Sequence, residues 1–95
     1  MKNEAEAKTI ASRLVKDKLI ACANIVKGVQ SIFRWQGRVD QAAETLLILK
    51  SKKSKFPRIV KTVKLLHSYA VPEIIALPIV EGSPSYLDWI DRSLK

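Results

Sequence analysis

Apolar residues recur three and four apart at Ala7, Ile10, Ala11, Leu14 and Val15, which predicts an amphipathic helix from about Glu4 to Lys18. Asn3 and Glu6 stand in capping-box spacing ahead of it, the amide oxygen accepting an orphan N–H while the carboxylate reaches back. Lys8, Arg13, Lys16 and Lys18 take the polar face, and the basic charge gathers at the C-terminal end, where the helix dipole favours it. The pattern then changes period. Leu19 to Val26 is an apolar run broken only by Asn24, and Lys27-Gly28 marks a bend or bulge. Val29, Ser31, Phe33 and Trp35 fall on one face of an alternating stretch, with Gln30, Ile32 and Arg34 on the other. Gln36-Gly37-Arg38 signals a turn, Val39 to Ala43 a short irregular return, and Thr45 to Lys52 the partner strand. Ile20 to Lys52 is therefore predicted to form a long β-hairpin.

Ser54 is placed to cap a second helix and Pro57 to sit in its first turn, with Phe56, Ile59, Val60, Val63 and Leu66 as the core stripe. Pro72 biases Val71 towards extended backbone and forces the chain out of that helix. Ile74 to Leu77 has no polar alternation, so Glu73 to Ile79 is predicted as a buried strand, interrupted where Pro78 lacks an N–H. Ser83-Pro84 opens a last helix, as cap and first-turn proline, with Leu87, Ile90 and Leu94 on one face and Tyr86 and Trp89 beside them.

The order α-β-β-α-β-α lacks only a leading strand to be the ferredoxin-like split βαβ arrangement with an extra C-terminal helix. No stretch before Asn3 supplies that strand. The expected fold is a two-layer α/β sandwich of one domain, residues 1–95. Sixteen residues of strand from Ile20 to Trp35 would span roughly 50 Å at about 3.3 Å each. A compact chain of this length has a radius of gyration near 12 Å, about 30 Å across. The hairpin must coil strongly around its own helix or project, and a projecting tip with Ile32, Phe33 and Trp35 needs cover from other subunits.

Composition narrows the classes. An apolar fraction of 47% excludes disorder, and no apolar run approaches the roughly 20 residues that cross a bilayer. The first residues, Met-Lys-Asn-Glu-Ala-Glu, do not read as a signal peptide. One cysteine cannot staple the fold and suits a reducing compartment. The net charge of +8 is uneven: Thr45 to Pro72 holds seven basic residues and no acidic one. Lys52, Lys53, Lys55 and Arg58 can attract a small anion or an acidic partner, or simply form a solvated face. The segment's one aromatic, Phe56, lies on the core stripe, so base stacking is unsupported and no specific nucleic-acid binding is expected.

Candidate chemistry collects at the junction after the second helix. His67, the only histidine, precedes Tyr69 and Glu73, and Cys22 is the only thiol. An imidazole, a carboxylate and a thiolate would suit copper or zinc. The plainer readings are a histidine satisfying helix-end carbonyls and an inert packing cysteine between Ala21 and Ala23. No phosphate loop, Cys-x-x-Cys or His-x-x-x-His is present, so an enzyme is not expected. Tyr69, Trp35, Trp89 and Tyr86 either line a pocket between subunits or pack the core and interface.

Four blocks taken together, Leu19 to Ile25, Ser31 to Gly37, His67 to Ile79 and Tyr86 to Ile90, resemble the CutA family of divalent cation tolerance proteins in order and over nearly the whole chain. The resemblance implies a cytoplasmic homotrimer whose long hairpins complete sheets between subunits, with Ile32, Phe33, Trp35, Tyr69 and Trp89 at the interfaces. It also implies weak binding of Cu(II) or another divalent cation, with His67 matching a histidine of the family's ligand-bearing segment. Where the family commonly has His-Pro-Tyr-Glu, this chain has His67-Ser68-Tyr69-Ala70, and Leu66 stands where some members carry a second histidine. The alternative function is a trimeric signalling or scaffold module that binds an acidic partner or small anion through Lys50 to Lys64.

Overall fold

The computed structural model describes residues 1–95. Helix α1, Glu4–Lys16, is capped as its sequence demands, with the Asn3 side chain accepting from the Glu6 N–H at 2.8 Å. It ends two residues earlier than expected because Lys18 adopts φ 58°, a left-handed conformation that stops the helix. Ala7, Ile10, Ala11 and Leu14 are buried, as the periodicity requires.

Strands β1, Cys22–Trp35, and β2, Arg38–Lys50, pair antiparallel from Cys22↔Lys50 out to Trp35↔Arg38. The expected bulge is present: the register shifts between Val26 and Val29, and Gly28 takes φ 74°. The hairpin turns through Gln36 (φ 50°) and Gly37 (φ 77°), both left-handed, the conformation that matches strand twist in a two-residue loop. Val39 to Ala43 is not irregular. It is continuous ladder, paired from Arg34 to Gln30. The outer hairpin is exposed on both faces, so the alternation that would have marked it as strand is missing from the sequence. A β-carbon at residue 37 would touch nothing, so Gly37→Ala isolates backbone strain. It is expected to cost about 1 kcal/mol, whereas Gln36→Asn should raise the melting temperature, since Asn tolerates this region better.

A 3-10 turn, Lys53–Lys55, precedes helix α2, Phe56–Leu66. Ser54 lies inside that turn and caps nothing, a departure from expectation. Helix α3, Pro84–Ser93, starts as predicted, with Ser83 accepting from Tyr86 N–H at 3.4 Å. Ile10, Leu14, Leu19, Ile20, Ile59 and Val63 form the core, against which Ala23, Leu47, Leu49, Leu66 and Ile74 pack. The sheet has two strands only. The predicted third strand, Glu73 to Ile79, forms no ladder, and no backbone–backbone hydrogen bond involves residues 68–82. An extended run becomes a strand only when a neighbour pairs with it, and here nothing lies beside it to do so.

The hairpin projects. The chain measures 45 × 26 × 22 Å with a radius of gyration of 14.4 Å, above the roughly 12 Å of a compact chain this long. Ile32 is 74% and Trp35 49% exposed at the tip, and Val39 beside them 70%.

Candidate functional site

The junction after α2 is built around the carboxylate of Glu6. This side chain turns back over the start of α1, where Oε2 accepts the N–H of Lys2, one residue before the cap, at 3.0 Å. Its other oxygen, Oε1, accepts the Ser68 N–H at 2.6 Å, which ties the chain leaving α2 to the first turn of α1. His67 Nδ1 lies 4.0 Å from the same oxygen. The His67 side chain is only 3% exposed and that of Glu6 13%.

His67 ends α2, and its own N–H donates to Val63 O at 2.8 Å. Its Nδ1 accepts the Tyr69 N–H at 2.9 Å, so the neutral ring carries its proton on Nε2. The imidazole and phenol rings stand 4.7 Å apart. Burial pushes the His67 pKa below its ordinary value, against an opposing pull from Glu6. Burial raises Glu6, but the Ser68 and Lys2 hydrogen bonds outweigh it and leave the carboxyl below the usual range. Glu44 forms the next layer. The Ser31 hydroxyl, the Met1 ammonium 3.8 Å away and Tyr69 hold it ionised to lower pH. Burial and that Glu44 charge push Tyr69 up.

This arrangement differs from the expected one. The carboxylate beside His67 is Glu6, not Glu73, which is exposed at the start of the unpaired segment. Cys22 is half-buried at the start of β1. No group of three His, Cys, Asp or Glu side chains converges, so His67, Glu73 and Cys22 do not form a joint ligand set within one chain. Glu6 carries the capping-box signal, but its contact with the residues after α2 has no sequence pattern. The basic segment is also partly engaged. Lys52 is bonded to Asp91 of α3, while Lys53, Lys55 and Arg58 have no ion pair. Trp89 stacks obliquely on Tyr86 at 5.6 Å on α3, and both are half-exposed.

The chain thus has two layers, a projecting two-stranded hairpin and a titratable knot where α1 meets the end of α2. These features define a small α/β protein of ferredoxin-like fold with an added C-terminal helix. A sequence profile of the CutA1 divalent ion tolerance protein family matches residues 1–93, and the chain belongs to that family. It is 52% identical over 88 residues to the divalent-cation tolerance protein CutA of Thermus thermophilus, covering 93% of this chain and 85% of the relative. It is 42% identical over 93 residues to the chloroplastic protein CutA of Arabidopsis thaliana, covering 98% of this chain and 51% of the relative, about half that protein's length. Among solved structures, CutA1 from Oryza sativa superposes with a TM-score of 0.96 at 41% identity, covering all of this chain and 87% of that one.

Proposed function

We propose that this protein acts as a homotrimer in a reducing, cytoplasmic compartment and binds divalent cations weakly, Cu(II) ahead of Mn(II), without catalysing a reaction. The observation that carries the cation reading is the buried imidazole 4.0 Å from the Glu6 carboxylate. Imidazole and carboxylate donors follow the Irving–Williams preference for Cu(II). The exposed Glu73, or a neighbouring subunit, would have to move in to add the next donor. Binding is weak for a specific reason. His67 Nδ1 already accepts the Tyr69 N–H and Nε2 carries the proton, so coordination must give up that hydrogen bond or shift the tautomer.

Calorimetric Cu(II) titration tests the reading. Wild type is expected to bind with micromolar or weaker affinity and to lose binding below about pH 6, because imidazole coordinates only when neutral. His67→Ala should remove most of the heat and Glu73→Gln part of it, with the oligomer intact. Superimposable isotherms for wild type and His67→Ala would place the ions elsewhere.

A further inference from the structure

The three helices carry their charge differently. On α1, Lys8 pairs with Glu4 at 3.0 Å and Arg13 with Asp17 at 2.7 Å. On α3, Arg92 pairs with Asp88 at 2.9 Å, and Lys95 just past its end reaches Asp91 at 3.5 Å. Such i,i+4 pairs are what a helix face turned only to water commonly carries. Helix α2 has no acidic residue, and Lys53, Lys55, Arg58, Lys61 and Lys64 make no ion pair with any other part of the chain. Arg58, Lys61 and Lys64 follow one another three apart, so like charges stand side by side along α2. That arrangement costs stability in the free chain, and nothing within the chain offsets it.

The same face holds an apolar residue. Ile59 and Val63 turn the other side of α2 to the core. At about 3.6 residues per turn, the opposite side carries Arg58, Lys61, Lys64 and Leu65, all exposed. Leu65 is 77% exposed. A single exposed leucine is ordinary, but here Lys61 stands one turn before it and Arg58 two turns before it. Apolar area and unpaired positive charge therefore share one surface.

We propose that the outer face of α2 docks on the surface of an anionic lipid bilayer, with its cations among the headgroup phosphates and Leu65 inserted beneath them. Charge complementarity selects an anionic partner, since each lysine or arginine near such a surface strengthens binding roughly fivefold. Shape and the leucine select among anionic partners. The outside of a helix is convex, whereas a bound peptide needs a groove or an open sheet edge. A bilayer surface is flat and yields to an inserted side chain. Lysine and arginine keep their heads in the headgroup layer while their stems run along apolar neighbours. The Arg58 guanidinium can take a phosphate through two N–H donors at once. Nucleic acid would meet the same cations, but it offers Leu65 no apolar seat. The face also has no exposed aromatic for a base to stack on, because Phe56 is half-buried. No residue of the Glu6–His67 junction takes part, so docking is independent of cation binding.

Sedimentation of the full chain with vesicles tests this. Vesicles of one part phosphatidylglycerol to two parts phosphatidylcholine should bind at least tenfold more strongly than phosphatidylcholine alone. Binding should fall at least tenfold between about 0.05 M and about 0.5 M salt. Arg58→Gln, Lys61→Gln and Lys64→Gln together should weaken it about 100-fold. Their circular dichroism should be unchanged and their melting temperature equal or higher, because neighbouring like charges are gone. The same loss of charge on α1, through Lys8→Gln, Arg13→Gln and Lys16→Gln, should weaken binding less than tenfold. Leu65→Ser changes no charge and should weaken vesicle binding about tenfold, with binding to heparin unaltered. No preference for the anionic vesicles would overturn the proposal. So would equal losses from the α1 and α2 substitutions, which would mean diffuse attraction by the whole chain. Vesicle binding unchanged in Leu65→Ser would also overturn it and assign the face to a soluble polyanion.

Discussion

Trp35→Asp is expected to leave a folded chain that no longer assembles. Light scattering should give about three times the 10.7 kDa chain mass for wild type and the single-chain mass for the variant. The contrast rests on where Trp35 sits. It is the last residue of β1, half-exposed at the tip of a hairpin that stands clear of the core, so one chain loses little when it changes. In the proposed trimer the same ring would be a buried anchor, and replacing such an anchor with a carboxylate would leave an unpaired charge in the interface. Anchor residues are worth about 2 kcal/mol or more each, roughly 30-fold in affinity, and a closed ring of three subunits would carry the change three times. Circular dichroism should be unchanged. A stable wild-type monomer at micromolar concentration would remove both this expectation and the trimeric reading.

Glu6→Ala is expected to destabilise the chain by roughly 3 kcal/mol near neutral pH, the loss of two hydrogen bonds to a charged acceptor, and to reshape its response to acid. The sign follows from the direction of each shift. Folded His67 titrates below its ordinary 6.5, so as the pH falls past that value the unfolded chain takes up a proton that the folded chain refuses. Its stabilising contribution is complete above about 6.5 and declines below it. Glu6 and Glu44 titrate below their ordinary 4.5, so their contributions are complete above that value and are lost at lower pH. Wild type should therefore weaken in two stages. In Glu6→Ala the Glu6 share of the second stage disappears. The first stage deepens, because the carboxylate that favoured protonated His67 is gone. Urea midpoints measured from pH 8 to pH 3 would show this, and a loss below about 1 kcal/mol at pH 7 would mean that the Lys2 and Ser68 bonds contribute little.

How far the sequence discloses this molecule depends on whether a feature is local. The α1 periodicity, the Asn3 and Ser83 caps, the Gly28 bulge and the Gln36-Gly37 turn are each set by neighbours within a few residues, and each is found where the pattern puts it. Val39 to Ala43 was illegible as strand because a hairpin wet on both faces has no reason to alternate. Glu73 to Ile79 has a strand's composition, but a ladder is a property of two segments, and no other segment pairs with it. His67 could be singled out as the one imidazole, whereas its companion Glu6 is 61 residues away and could be recognised only as half of a helix cap. The CutA resemblance identified the family without identifying that contact.

Met1 donates to Thr45 O at 2.7 Å and accepts the Thr45 N–H at 2.8 Å, and this exchange across the edge of β2 sets an order of events as the chain folds. The hairpin closes through a two-residue turn, and its contacts zip outwards from near neighbours, so it can form on the microsecond scale. Met1 and Thr45 are 44 residues apart, and closing a loop of that size costs about 3 kcal/mol of chain entropy before any contact repays it. The Met1–Thr45 contact therefore closes after the hairpin, and the Glu6–Ser68 bond, 62 residues apart, costs slightly more still. At high protein concentration, preformed hairpins can meet one another before each has drawn in its own α1, so refolding at the bench should become slower and less complete as concentration rises.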